Sequence, residues 1–361
     1  MNRNNVIDYL IVGQGIAGSL FAWMLMKKGK KILVIDSGSF SSSSQIAAGL
    51  VHPITGRRLV KTWMADIAFP YAFRFYQELE KESGTSFFHP MTILEIIQTA
   101  KQWNDWTARK SDPEIEGLIG DAIDEGKYKE CLQEFLHFIP VQNSGWLNIP
   151  GFLFMVKNHL KDQEAILEDT FDINLMHVKA EGIEYKNIRA DKIIFCEGYK
   201  ISDNPIWSWV PMLPAKGEIL TIEAPGLPQE NILLKKIFIV PIGNELFRVG
   251  ATYSWSPLDE ITTEGALHQL TSELDATLKI PYRVVNQKAG VRPTVKDRRP
   301  LLGKHPEFEH VYLFNGLGTK GVSLGPYFAQ QLIDHVENNS NLHPEVDIRR
   351  FYQTFKKINK E

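Results

Sequence analysis

The chain has 361 residues, of which 43% are hydrophobic and 23% are charged, and its formal net charge is −3 at pH 7. This length and apolar content predict a globular protein with a large core and two domains. The balance of charge gives no basic field for nucleic acid or an anionic membrane, and no apolar stretch is long enough to span a bilayer. We therefore expect a cytoplasmic protein without a signal peptide, a membrane span or a nucleic-acid partner.

The cysteines and histidines do not form a recognisable catalytic or metal-binding pattern. Cys131 and Cys196 lie far apart, and no His/Cys cluster has the spacing of metal ligands. The sequence also lacks a His-Glu-x-x-His pair, a Gly-x-Ser-x-Gly elbow and a Walker lysine loop. We expect no metal, and the hydrolase and nucleoside-triphosphatase classes lose their usual support.

The first informative element is a glycine-rich turn between a strand and a helix. Residues 7–12 read as a buried strand, and a second strand ends at Asp36. Between them a Gly-x-Gly-x-x-Gly turn permits a sharp bend, the approach of a pyrophosphate and close packing of helix on strand. The carboxylate accepts hydrogen bonds from a ribose and repels a 2′-phosphate, which predicts NAD or FAD and disfavours NADP. The predicted contacts are Gly13, Gly15, Ile16, Ala17, Gly18, Asp36 and Ser37.

The stretch after this hairpin departs from a plain NAD-binding domain. A serine run leads into apolar residues 46–51, which predict a backbone that turns inward. Residues 60–83 have helical spacing, 92–98 read as a strand, and 99–138 are polar, charged and helix-prone.

The second half of the chain is richer in strands. An apolar strand ends at Glu197 and Gly198, a combination that can bring backbone beside a bound nucleotide. Residues 211–285 contain several short strands and a helix. The fold class that we predict is α/β, with a mainly antiparallel β substrate domain inserted into a Rossmann-type nucleotide-binding domain.

A second glycine loop follows a strand at 310–314. Gly316, Gly318 and Gly321 repeat the glycine spacing, but Asn339 stands where a ribose-binding acid is needed. The loop is either an ordinary strand-to-helix turn or a helix N-terminus aimed at a cofactor that becomes negative. Because the N1/C2=O edge of a flavin becomes anionic on reduction, we favour the second interpretation and FAD as the cofactor.

Taken in order, five segments resemble the D-amino-acid oxidase-like superfamily of FAD-dependent oxidoreductases. Within it the chain is similar to glycine and sarcosine oxidases and to the oxidase half of a bifunctional enzyme that modifies a tRNA wobble uridine. The five segments are the N-terminal hairpin, 47–50, 191–198, 247–252, and 289–303 leading to the Gly316 loop. The resemblance implies an FAD-binding domain over 1–85, 145–210 and 288–361, and a substrate domain over 86–144 and 211–287.

The resemblance also implies roles for single residues. Arg292 would grip a substrate carboxylate through two parallel hydrogen bonds, assisted by Lys320. Arg248 stands where related oxidases carry an oxygen-activating lysine, which leaves the electron acceptor, O2 or another compound, open. Three further basic residues would lie near flavin and substrate, namely His52, Arg58 and Lys61. The further cofactor contacts are Ala48, Gly49, Leu50, Glu197, Gly198, Gly316, Gly318, Thr319, Lys320 and Gly321.

These residues imply oxidation of a small-molecule amine. We expect FAD to be non-covalent, because Ile46 and a cysteine-free C-terminus replace the residues that attach flavin in some relatives. The expected reaction is hydride transfer to flavin from a carbon next to nitrogen in a small amino acid or N-alkyl amino acid. Three alternatives remain open: an oxidase of a modified tRNA base, an NAD-dependent dehydrogenase, and a non-enzymatic flavoprotein subunit. The sequence specifies neither the substrate nor the oligomeric state.

Overall fold

The computed structural model describes residues 6–38, 42–55, 59–124 and 126–358. The strands are β1 (Ile7–Val12), β2 (Ile32–Asp36), β3 (Leu50–Val51), β4 (Ile54–Thr55), β5 (Val60–Lys61), β6 (Phe88–Pro90), β7 (Ile93–Ile97), β8 (His137–Val141), β9 (Gly145–Leu147), β10 (Ile166–Glu168), β11 (Met176–Lys179), β12 (Gly182–Tyr185), β13 (Ile188–Phe195), β14 (Ala215–Glu223), β15 (Ile232–Leu234), β16 (Phe238–Gly243), β17 (Leu246–Gly250), β18 (Arg283–Arg292), β19 (Leu301–Lys304) and β20 (Val311–Asn315). The α-helices are α1 (Ile16–Lys27), α2 (Ser43–Ile46), α3 (Ala65–Ser83), α4 (Ala100–Lys110), α5 (Ile149–Asp162), α6 (Glu264–Asp275), α7 (Gly321–Asn338) and α8 (Tyr352–Ile358).

The chain divides into two units, each assembled from separate stretches of sequence. Unit 1 comprises Met1–Gln45, Pro150–Ala215 and Val291–Glu361, and unit 2 comprises Ile46–Ile149 and Lys216–Gly290. Residues 46–85 and 145–149, which the sequence analysis groups with the nucleotide-binding domain, lie in unit 2. The physical reason is long-range pairing: α3 packs against β6, and β6 pairs with β9.

Unit 1 is built on a sheet with a parallel centre. β1 lies between β2 and β13, and β10 continues the parallel set beyond β2. β20 pairs in parallel with the end of β13. The beginning of β13 pairs antiparallel with β12, and β12 pairs antiparallel with β11. Leu10, Ile11 and Ile194 in the central strands are fully buried, as expected for a sheet covered on both faces.

Unit 2 is built on a mainly antiparallel sheet in the order β18-β14-β17-β16-β15-β7-β8. The pair β15–β7 is parallel, whereas β14–β17, β17–β16, β16–β15 and β7–β8 are antiparallel. The two units together confirm the predicted fold class, a Rossmann-type domain with an inserted antiparallel β domain.

The side chains of the unit 2 sheet alternate between two apolar faces. Leu94 and Phe247 belong to one buried cluster, which also contains residues of α6. Ile93 and Val240 belong to the other, together with Ala48, Ile97, Ile139, Trp146 and Ile232. We call the second surface the Ile93 face.

Two predicted stretches differ from the structure in detail. The helix expected over 60–83 begins at Ala65, because Val60 and Lys61 form β5. The helix-prone stretch 99–138 contains α4, short 3-10 turns and the start of β8. The capping box between Thr99 and Gln102 explains why a helix begins at Ala100.

The close approach of Gly18 in α1 to the backbone of Gly13 yields the first prediction. A β carbon at Gly18 would lie 1.9 Å from the carbonyl oxygen of Gly13. Gly18→Ala should therefore lower the free energy of unfolding by about 1–3 kcal/mol, the usual cost of overpacking. Gly265→Ala is the matched control, because Gly265 lies in α6 with no atom within 4 Å of the added carbon. The control should be neutral or stabilising by up to about 1 kcal/mol in urea unfolding, and equal losses in both variants would contradict this account.

Candidate active site

The glycine turn after β1 is held by the carboxylate at the end of β2. Gly13 has a φ of 98°, and a β carbon there would lie 2.6 Å from the carbonyl oxygen of Cys196. The Asp36 Oδ2 atom accepts a hydrogen bond from Gln14 N at 2.7 Å, and Oδ1 accepts one from Gly38 N at 2.8 Å. Each oxygen keeps a second lone pair, so the predicted ribose contact is compatible with this arrangement.

The start of α1 has the geometry of an anion site. Its first intrahelical hydrogen bond runs from Ser19 N to Gly15 O at 2.9 Å, so the amides of Ala17 and Gly18 precede the helical ladder. Ile16 N donates to Ser44 Oγ at 3.1 Å. Such amides, together with the helix dipole, attract a phosphate.

Asn315 joins two predicted cofactor segments that are far apart in sequence. Its Nδ2 atom donates to Gly198 O at 2.9 Å, and its Oδ1 atom accepts from Gly316 N at 2.7 Å. Next to this link, Glu197 Oε2 accepts from Asn204 Nδ2 at 2.8 Å, and burial raises the pKa of Glu197 to about 7. The Glu197 turn and the Gly316 loop therefore form one structural group within unit 1.

The two glycine turns also meet through their helices. A β carbon at Gly321, the first residue of α7, would lie 3.0 Å from Cγ2 of Ile16, the first residue of α1. The positive ends of both helices therefore lie side by side.

A hydrogen bond joins the chain segments that carry the two predicted carboxylate-binding residues, Arg292 and Lys320. Gly318 N donates to Pro293 O at 3.3 Å, which joins the loop carrying Lys320 to the end of β18 at Arg292. Burial lowers the pKa of the Lys320 ammonium to about 8. Thr294 Oγ1 is buried and has no hydrogen-bond partner among the described residues.

In unit 2, the predicted segment Ala48–Leu50 belongs to the Ile93 face. Ala48 is buried there, and Leu50 packs against the same cluster and pairs with Trp146. Arg248 Nη1 donates to Ala47 O at 3.2 Å, and burial lowers the pKa of its guanidinium. A β carbon at Gly49 would lie 1.9 Å from Leu147 O, so the backbone of this segment is closely packed.

The remaining predicted residues have less specific surroundings. Lys61 is already paired, with its Nζ atom 2.6 Å from Asp66 Oδ2. His52 is partly buried, and its carbonyl oxygen accepts from Thr62 Oγ1 at 2.9 Å. Ser37 and Thr319 are exposed. The predicted residue Arg58 lies outside the described residues.

The residues of unit 1 fit FAD on three observations. The Gly15 turn leaves space beside the first amides of α1, the dipoles of α1 and α7 converge, and the buried Thr294 hydroxyl lacks a partner in the described structure. The residues that would hold the cofactor are Gly13, Gly15, Ile16, Ala17, Gly18, Asp36, Glu197, Gly198, Gly316, Gly318 and Gly321.

Sequence reasoning missed several residues that shape the site. Ser44 belongs to a serine run that resembles a solvated loop, and Asn315 is a single polar residue at the end of a buried strand. Buried Gln14 braces the first turn through Nε2, which donates to Ser19 Oγ and Leu153 O, both at 3.0 Å. A polar residue at the end of an apolar strand was the local signal for Asn315, and one within a glycine turn was the signal for Gln14, whereas the serine run gave no such signal for Ser44.

Two further properties of the described residues concern membranes and metals. None of their helices combines the length and apolar character that a bilayer span requires. They also contain no group of three or more His, Cys, Asp or Glu side chains that could hold a metal ion.

The Gly15 turn yields a prediction in which an effect on cofactor binding can be measured separately from an effect on protein stability. A β carbon at Gly15 meets only Ser44 Oγ, at 3.2 Å, among described atoms within 4 Å, and its extended φ of −71° and ψ of −170° suit valine. Gly15→Val should purify as a folded apoprotein without flavin, because the side chain fills the approach to the helix amides. Flavin absorbance per protein and the thermal midpoint of the apoproteins measure the two effects. Retention of FAD at wild-type affinity would be inconsistent with this site.

Comparison with known proteins gives the same cofactor. A family model described as FAD dependent oxidoreductase matches residues 8–335. Glycine oxidase from Bacillus subtilis is 23% identical over 92% of this chain and 93% of its own length. The crystal structure of glycine oxidase from Bacillus cereus superposes with a TM-score of 0.78 at 17% identity, covering 94% of this chain and 99% of that chain.

A second kind of relative is longer than this chain. The tRNA 5-methylaminomethyl-2-thiouridine biosynthesis bifunctional protein MnmC from Marinobacter nauticus is 23% identical over 95% of this chain. The match spans 58% of that protein's length. The family match decides between the two predicted cofactors in favour of FAD and against an NAD-dependent dehydrogenase. With a model that matches from residue 8 to residue 335, the chain belongs to the DAO family of FAD-dependent oxidoreductases.

Proposed function

We propose that this enzyme oxidises the carbon–nitrogen bond of a small amino acid or N-alkyl amino acid. The observation that carries the proposal is the hydrogen bond from Gly318 N to Pro293 O, at 3.3 Å. It joins the chain segments of Arg292 and Lys320 beside the flavin-type loop. Two cations next to such a loop suit a substrate with a carboxylate near the carbon to be oxidised.

The proposed roles of the chain's residues are binding and orientation. Bound FAD would supply a two-electron acceptor. Arg292 would hold the carboxylate through its planar guanidinium, and Lys320 would add a second positive charge. Oxidation removes a hydride from the carbon and a proton from the nitrogen, and water hydrolyses the resulting imine to a carbonyl compound and an amine. This chemistry needs a fixed substrate more than it needs a strong acid or base.

The surroundings of Cys196 support non-covalent FAD. Cys196 lies in unit 1 against the Gly13 turn, and burial raises the pKa of its thiol. A protonated, buried thiol is a poor nucleophile, so it is unsuited to attachment of a flavin. Both cysteines are free and buried, which also agrees with the proposed cytoplasmic location.

The name of one relative group supports a second candidate function. MnmC proteins take part in biosynthesis of a tRNA base that carries a methylaminomethyl group, and one of them matches 95% of this chain. A modified tRNA base is therefore the alternative substrate. The formal net charge of −3 favours the small molecule, because binding of tRNA depends on basic surface.

An anaerobic screen tests the proposed function. The holoenzyme is mixed with amino acids and N-methyl amino acids, and loss of the oxidised flavin spectrum is recorded. Bleaching by one of these small molecules is the expected result. Bleaching only by tRNA that carries the modified base would establish the alternative, and reduction by neither would reject both.

The pH dependence of carboxylate binding gives a sharper prediction for Lys320. Because burial lowers the pKa of Lys320 to about 8, its ammonium is charged below that pH and neutral above it. Affinity for an amine-free carboxylate inhibitor should fall as pH rises through about 8, as measured by perturbation of the flavin spectrum. The residual affinity at high pH belongs to Arg292, which stays charged.

Two variants distinguish the contributions of Lys320 and Arg292 to carboxylate binding. Lys320→Met should remove the pH dependence around 8 and weaken binding at low pH. Arg292→Ala should lower affinity at every pH by about tenfold or more while FAD stays bound. Equal pH profiles for wild type and Lys320→Met would refute the role of Lys320.

A further inference from the structure

One buried hydroxyl group of unit 1 has no hydrogen-bond partner in the part of the chain that the structure describes. Thr294 follows the end of β18 at Arg292, and its Oγ1 atom is withdrawn from solvent without a partner among the described residues. Burial of a hydroxyl group costs stability unless a new hydrogen bond replaces the one to water. Because buried side-chain polar groups are paired in the large majority of cases, this hydroxyl points to a partner from outside the chain.

The backbone around Thr294 is already hydrogen-bonded. Thr294 N donates to Arg292 O at 2.9 Å, and Thr294 O accepts from Leu213 N at 2.7 Å. The preceding carbonyl, Pro293 O, accepts from Gly318 N at 3.3 Å. These bonds hold the residue from two sides, so its side chain stands on a fixed backbone and is prepared for a ligand before the ligand arrives.

The side chain of Thr294 lies against the Gly316 loop. A β carbon at Gly318 would lie 3.9 Å from Thr294 Oγ1 and 4.0 Å from Thr294 Cγ2. Rotation about χ1 moves the oxygen between staggered positions, so it can turn toward a ligand at the loop without movement of the backbone. Thr294 and the loop both belong to unit 1. The unpaired hydroxyl is therefore beside the loop at which we place the flavin edge.

The surroundings of this loop favour negative charge. The loop leads into α7, which begins at Gly321 with Lys320 as its N-cap. The positive end of a helix dipole attracts an anion, and a lysine ammonium does so as well. The N1/C2=O edge of a flavin gains negative charge on reduction, and a hydrogen bond to a charged acceptor is stronger than one to a neutral acceptor. A hydroxyl donor here would thus gain more from the reduced flavin than from the oxidised one.

We propose that the Thr294 hydroxyl donates a hydrogen bond to the N1/C2=O edge of the bound flavin and so raises the affinity of the enzyme for reduced FAD relative to oxidised FAD. The inference rests on the proposed site of FAD in unit 1 and does not depend on which amine is oxidised. Binding and reduction are linked, so a residue that favours the reduced form also raises the midpoint potential of the bound flavin. Thr294 would therefore make the flavin a better acceptor of electrons.

The first test is the midpoint potential of the FAD in the holoenzyme, measured by slow reduction with xanthine and xanthine oxidase against a reference dye. Thr294→Val removes the hydroxyl group and keeps the branched shape of the side chain. Its potential should be more negative than that of the wild type by about 30 mV, which is a tenfold change in a two-electron equilibrium. Thr294→Ser keeps the hydroxyl group and should stay within about twofold of the wild-type equilibrium.

The affinities for the two redox forms give a second measurement. Apoprotein is titrated with oxidised FAD in air and with dithionite-reduced FAD under anaerobic conditions. In Thr294→Val the Kd for reduced FAD should rise about tenfold, and the Kd for oxidised FAD should stay within about twofold of wild type. Thr170→Val is the matched control, because it removes an exposed hydroxyl group from unit 1, and it should leave the potential and both affinities unchanged.

Stability distinguishes this role from a structural one. The apoprotein of Thr294→Val should have a thermal midpoint equal to or above that of the wild type, because the substitution removes a buried hydroxyl group without a partner. A lower midpoint of the apoprotein together with an unchanged flavin potential would identify Thr294 as a structural residue and overturn the proposal.

The outcomes also distinguish this inference from the proposed function. The potential is measured without an amine substrate, so a failure of every amino acid to reduce the flavin would reject the proposed function alone. An unchanged potential in Thr294→Val, with amino acids that still reduce the flavin, would reject the inference alone. Equal decreases of the potential in Thr294→Val and Thr294→Ser would show that the hydroxyl group is not the cause and would also reject the inference.

Discussion

The contact between the first residues of α1 and α7 is the constraint on which the proposed cofactor site depends. A β carbon on Gly321 would lie 3.0 Å from Ile16, so the positive ends of two helices share one place. A cofactor there needs two groups that gain from positive dipoles, and FAD has a pyrophosphate and a flavin edge that becomes anionic on reduction. Because Asp36 lies at the first turn alone, we propose that the two glycine turns belong to a single dinucleotide site.

The sequence predicted those parts of the fold and site that local patterns determine. The Gly13 hairpin, the Gly316 loop and most strands of both sheets follow from glycine spacing and apolar periodicity. The grouping of residues 46–85 with unit 2 did not, because it depends on the packing of α3 against β6 and the pairing of β6 with β9, which join segments distant in sequence. Three polar residues were missed because their surroundings form only after the chain has folded. They are Asn315 and Ser44, through their hydrogen bonds, and Thr294, whose buried hydroxyl has no partner among the described residues.

The two units contribute different chemistry. Unit 1 provides helix dipoles, backbone amides and the loop that carries Lys320, which suit a charged cofactor and a carboxylate. Unit 2 provides a broad apolar sheet face, the Ile93 face, and Arg248 stands opposite Val240 of that face.

The crystal structure of the complex with FAD tests the central claim most directly. One FAD should bind per chain, with its pyrophosphate at the start of α1, its ribose at Asp36 and its flavin ring at the Gly316 loop beside the Thr294 hydroxyl. A flavin ring located away from the start of α7, or a second nucleotide bound at the Gly316 loop, would contradict the claim that both helices serve one cofactor.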